Sequence, residues 1–146
     1  MSYATGEAAI LTLIQGLSAY DSSNSARQDW KILHSGSAAY YAVIRPGTMI
    51  PERISATMFN DRWTTVIEIW RRYIDDDRPV SLQGDVATVV SHLRQYKTLN
   101  SASGVSYAEI AGVDEMQEVT LNNGSLWARW NINVEWIDES TVTYAD

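Results

Sequence analysis

Two histidines, a run of three aspartates and several tryptophan–arginine neighbours are the side chains of this sequence that could do chemistry. A hydrolytic centre needs a nucleophile with a base beside it. His34 lies in His34-Ser35-Gly36-Ser37, which has suitable residue types but not the spacing of a nucleophile elbow, so it reads as a turn. His92 follows Ser91 in a stretch of helical spacing and falls outside its apolar stripe, which places it at the surface. Asp75, Asp76 and Asp77 are consecutive, whereas calcium loops space their ligands at alternate positions and aspartate-rich magnesium sites need substrate phosphates as partners. Three acids in a row read as a solvated loop. There is no glycine-rich phosphate loop and no cysteine, hence no thiolate nucleophile or metal ligand. The expectation is a protein with no catalytic residue, no cofactor and no metal.

The 6 tryptophans are harder to dismiss. Trp130 and Trp136 share a strand face with aliphatic residues and read as core. Trp127 lies on the opposite face beside Arg129, and Trp70 is followed by Arg71 and Arg72. A tryptophan on the polar side of a strand is either covered by a loop or serves as an interface anchor, where Trp and Arg are enriched. On the second alternative, Trp70, Arg71, Arg72, Trp127 and Arg129 are candidate contacts with another subunit or partner.

These residues are carried by a few well-marked elements. Leu126–Ile137 alternates, with Leu126, Ala128, Trp130, Ile132, Val134 and Trp136 apolar and most intervening positions polar, as in a strand with one dry face. Asn122-Asn123-Gly124 precedes it and can supply the positive φ angles of a tight reversal, so it should pair antiparallel with Glu115–Leu121. Trp63–Tyr73 is a second strong strand, stopped by Asp75–Pro79. Thr5–Tyr20 and Ser81–Lys97 have the spacing of amphipathic helices, with Thr5 and Ser81 as N-caps. Ala38–Arg45 reads as a strand ending in a turn at Pro46-Gly47, and Thr48–Pro51 as an exposed loop. Asp29–Leu33 fits either one helical turn or a short strand, and Ile54–Phe59 either a strand or an extended arm. Val105–Ile110 and Glu115–Leu121 fit one bent strand with a bulge at Gly112. The tail Asp138–Asp146 has no pattern. The fold class expected is α+β: one domain over residues 1–146, with a single, mostly antiparallel sheet of about four or five strands and two helices on one face.

The net charge of -7 is unevenly placed. Residues 1–108 carry ten acids and ten bases, whereas residues 109–146 carry eight acids and only Arg129. A surface built from that last quarter repels nucleic acid. No apolar run approaches the ~20 residues that span a bilayer, and no basic region followed by an apolar run marks a signal peptide. A soluble intracellular protein with no membrane partner is expected.

The order of elements resembles the tail terminator (tail completion) proteins of long-tailed bacteriophages. The matching parts are the helix Glu7–Leu17, the strand ending Val43-Ile44-Arg45-Pro46-Gly47, the strand Trp63–Tyr73, the helix Leu82–Lys97 ending in Leu99-Asn100, and the closing pair Tyr107–Val119 and Trp127–Trp136. Asp21–Gly36 and Pro51–Asp61 match nothing in that family's pattern. The resemblance implies a structural virion protein forming a ring, a homohexamer, at the head-proximal end of the tail. Such a ring caps the tube, ends its polymerisation and joins tail to head; its partners are itself, the tube protein and the head–tail connectors. DNA passes through without specific binding, and Asp75, Asp76 and Asp77 could face that channel. Assembly would take place in the host cytoplasm. Another connector of the head–tail joint, a head-closure or adaptor protein, is the nearest alternative, followed by a small-molecule-binding α+β domain.

Overall fold

A computed structural model describes residues 3–35, 38–72 and 78–145. The chain runs α1 (Tyr3–Gln15), β1 (Ser25–Arg27), α2 (Ile32–Ser35), β2 (Tyr40–Arg53), β3 (Met58–Arg72), α3 (Arg78–Leu93), β4 (Val105–Val113), β5 (Gln117–Thr120) and β6 (Leu126–Thr141). The strands form one mixed 6-stranded sheet in the order β1-β2-β3-β6-β4. β5 pairs with the start of β6, alongside β4 on the same edge. β1 runs parallel to β2, and every other pairing is antiparallel.

The α+β class is as expected, but the sheet is larger than four or five strands and has a parallel edge that periodicity did not reveal. Three residues are too few to show a period. The two expected helices, α1 and α3, share the face bearing Ile44, Ile67, Ile132 and Trp136, and a third, the single turn α2, packs Leu33 on the other.

β6, like β2 and β3, contributes to both clusters. Ala128, Ile132, Val134 and Trp136 are buried on the helix side, and the residues between them are half-covered on the other. Trp130 is half-buried against that same core. The expected hairpin is present, with Thr120 opposite Leu126 and Gly124 at φ 84°. The bulge at Gly112 is also present, as a register shift between Ile110 and Gly112.

Several boundaries depart from expectation. Pro46-Gly47 is not a turn: β2 continues through it with a bulge before Met49. β1 ends opposite Ile44, so the proline that follows lies where no outer strand needs its missing N–H. A Cβ on Gly47 would stand 2.7 Å from the Thr64 carbonyl oxygen, which is why glycine occupies the bulge. Thr48–Pro51 is therefore strand rather than loop, and Ile54 begins the reversal into β3. Asp138–Thr141 is strand as well, because β3 is long enough to pair with it through Met58–Asp61. α1 gives way after Gln15 to i→i+3 turns, with Leu17 N–H donating to Ile14 and Tyr20 N–H to Leu17. α3 starts at Arg78, ahead of the expected cap Ser81.

Helix α1 lies against the sheet through Gly6. A Cβ there would fall 2.4 Å from the Trp136 indole, a rigid group that has no free space to move into. The indole N–H donates to Thr65 Oγ1 at 3.0 Å, and the ring stacks on Trp63 at 5.8 Å and 17°. Overpacking costs about 1–3 kcal/mol. Gly6→Ala should therefore destabilise the fold by that amount despite alanine's higher helix propensity, read as a lower urea midpoint with an unchanged m-value.

Candidate functional surface

The second face of the sheet is organised by a buried carboxylate. Glu68, 2% exposed, accepts from Trp30 Nε1 at 2.8 Å, Trp70 Nε1 at 3.1 Å and Arg45 Nε at 2.6 Å. Three donors on one carboxylate satisfy a charge that would otherwise be costly to bury. They also tie the segment after β1 down over the sheet.

That covering decides the position of the expected contact residues. Trp70 and Trp127 are 3% and 2% exposed and pack with Tyr41, Val43 and Leu33, so neither is a surface anchor. Of the two alternatives open for a polar-face tryptophan, coverage by a loop is the one realised. Trp127 lies 5.5 Å from the Tyr41 ring and 6.4 Å, edge-on, from Trp70, and its N–H donates to Ser125 Oγ. Arg72 and Arg129 lie over this cluster, 6.0 Å from the Trp127 ring and 5.4 Å from the Trp70 ring respectively. Arg129 also donates to Gln117 across the β5–β6 hairpin. They cap a satellite core while keeping their charge in water.

Arg71 points to the opposite face and forms a fork with Asp85, at 2.8 and 3.1 Å, that ties β3 to α3. Its hydrogen bond to that carboxylate holds its pKa above the ordinary guanidinium value. It is a strand–helix tie. Asp75, Asp76 and Asp77 lie outside the described residues. The covering segment was hard to see because its apolar side chains, Trp30, Ile32 and Leu33, sit in a single turn too short for periodicity.

His34 is exposed on α2. His92 is not the surface residue expected: it is half-buried, its Nε2 lies 2.9 Å from the Leu13 carbonyl oxygen, and its ring meets Tyr96 at 5.3 Å. It joins α3 to α1. Glu7, fully buried on α1, is held by Arg27 Nε at 3.1 Å and Gln28 Nε2 at 3.0 Å. Among the described residues no group of three His, Asp or Glu side chains could hold a metal ion. No helix among them is long and apolar enough to cross a membrane.

Exposed apolar side chains gather instead on an arm. β2 from Pro46 to Arg53, β3 from Met58 to Thr64 and β6 from Glu135 to Thr141 extend as a ribbon, flanked by β4 as far as Val105 opposite Asp138 and three-stranded beyond it. Met49, Ile50 and Ile54 are 44%, 58% and 51% exposed on it. The tip is fixed by Arg53, which donates to the carbonyl oxygens of Ser55 and Ala56 and to the Tyr144 hydroxyl.

A second feature lies across the sheet from the arm, where the end of α3 meets β4. A cavity of about 260 Å³ has a floor of Leu93, Leu99, Ile110 and Val134. Leu99, Asn100 and Ser101 adopt φ of 52°, 60° and 61°, one short left-handed turn that sets Leu99 into the core.

No family model matches the chain, and no curated protein matches it. A solved chain whose designation states no function aligns over 100% of this chain and 99% of its own length, at 13% identity and a TM-score of 0.48. Likeness at that level carries no functional argument.

Two outcomes follow from the geometry. Trp127→Ala should lower stability by about 3–5 kcal/mol, the range for emptying a buried aromatic site, whereas Arg129→Ala should cost no more than about 1 kcal/mol; denaturant midpoints separate them. Asn100→Gly should raise stability by about 1 kcal/mol, read as a higher midpoint, since glycine takes positive φ without a Cβ clash.

Proposed function

We propose that this protein is a ring-forming structural component of a phage virion, a tail terminator that caps the tail tube, ends its polymerisation and joins the tail to the head. The observation that carries this reading is the apolar arm. Its ribbon runs past the start of β4 and presents Met49, Ile50 and Ile54 to solvent, and exposed apolar groups held on a rigid element mark interaction sites.

Sheet topology supports the same reading. β2 beyond Ile44 is one open edge, and the β4–β5 side is another, unlike the first. Contact between two unlike surfaces is head-to-tail, and repetition of such a contact closes a ring when the rotation allows. The partners of this reading are further copies in a homohexamer, the tube protein below and connector proteins above. The acid surplus falls largely on the β4–β5 edge, where Glu109, Asp114, Glu115 and Glu118 are all exposed. The Asp114–Glu118 end of that edge, turned towards a channel beside the subunit contact, lets DNA pass without gripping it. In this reading the protein resides at the head-proximal end of the tail.

Sedimentation of the purified protein with and without tail tubes tests the proposal. The expected result is a closed oligomer of uniform size and, in negative-stain images, density at one end of each tube. A protein that stays monomeric at every concentration and never decorates tube ends would overturn it.

A further inference from the structure

We infer that the cavity between α3 and β4 is the socket for the arm of a neighbouring copy, with Ile50 and its apolar neighbours as the inserted knob. This deepens the ring reading and rests on it. The cavity's floor is apolar, while its rim carries Arg94, Lys97 and Glu109, two bases and one acid. At about 260 Å³ it falls below the ~300–1,000 Å³ range of pockets that enclose drug-sized ligands. A space of that size suits one or two side chains.

The arm has the complementary character. Met49, Ile50 and Ile54 are its most exposed aliphatic groups. Glu52 stands among them, half exposed and 3.6 Å from Arg62, an exposed pair that solvent screens. Glu52 thus meets a rim whose charge is net positive, beside side chains that meet an apolar floor.

The occupant comes from another copy because the sheet holds a chain's own Ile50 out of reach of its own socket. β2 and β4 are separated by β3 and β6, three strand spacings or roughly 14 Å. Ile50 stands level with Tyr107 of the socket, through Arg62 and Ile137, and the two intervening strands fix that separation. Backbone pairing between the open edges is disfavoured by Pro46 and Pro51 on β2, since proline blunts an edge strand. Insertion of side chains into a socket is not subject to that restriction. Knob and socket are unlike surfaces of one molecule, so the contact is head-to-tail.

Charge exchange tests this directly. Glu52→Lys and Lys97→Glu, each alone, should raise the concentration for half-assembly at least tenfold in sedimentation velocity, and the double variant should restore it. Ile50→Arg should abolish assembly. Circular-dichroism melts of each variant show whether the monomer is intact, and both exchanged side chains are on the surface. If the unaltered protein forms rings and all four variants do so equally well, the socket assignment is wrong and the ring reading stands. The same holds if the variants keep the ring but lose tube ends, because the arm then contacts the tube protein. If the unaltered protein forms no ring alone or on tubes, both readings fall together.

Discussion

Everything in this fold depends on β6 being covered differently on its two sides. One side carries Trp136, which fits only because α1 offers a glycine where any other residue would have a Cβ. The opposite side carries Trp127, which is covered only because the chain between β1 and β2 folds back over the sheet. Fifteen consecutive pairs with β3, from Arg72–Trp127 to Met58–Thr141, hold the strand in that register. A shift by one residue would exchange the faces and place the asparagines and glutamate under the helices.

The polar groups near these two cores are paired in ways that bind layers together. Glu68 collects two indoles and a guanidinium; Glu7 holds Arg27 at the end of β1 and Gln28 after it; Arg71 forks onto Asp85; His92 reaches the Leu13 carbonyl oxygen. Each joins separate elements of the fold. Burial, reinforced by the Asp85 carboxylate, pushes the Tyr20 phenol above its ordinary range, so it stays neutral beside the Arg71 fork. The titratable groups inside this protein hold it together, and the surface apolar groups are what remain for contact with others.

What could be read from the sequence follows the physics of periodicity. β6, its hairpin at Asn122–Gly124, the Gly112 bulge and the stripes of α1 and α3 were legible because alternation and helical spacing repeat over many residues. β1 and α2 were not, being three and four residues long and defined by what they pack against. Misreading followed where one local signal was taken alone. Pro46-Gly47 has turn chemistry but sits on an open edge, where a bulge satisfies it. Trp70 and Trp127 are on the polar side of their strands by pattern, yet the short segment that buries them leaves no periodic trace. The arm was foreshadowed only by apolar residues in a stretch that read as loop.

The central functional claim is that the arm is a contact surface, and amide hydrogen exchange measured on the free protein and on tube-bound assemblies tests it most directly. The account predicts that peptides spanning residues 46–57 gain strong protection on assembly, together with those around residues 93–110, while the helix α1 and the centre of β6 are protected in both states. Unchanged exchange over 46–57, with new protection confined to another face, would contradict it.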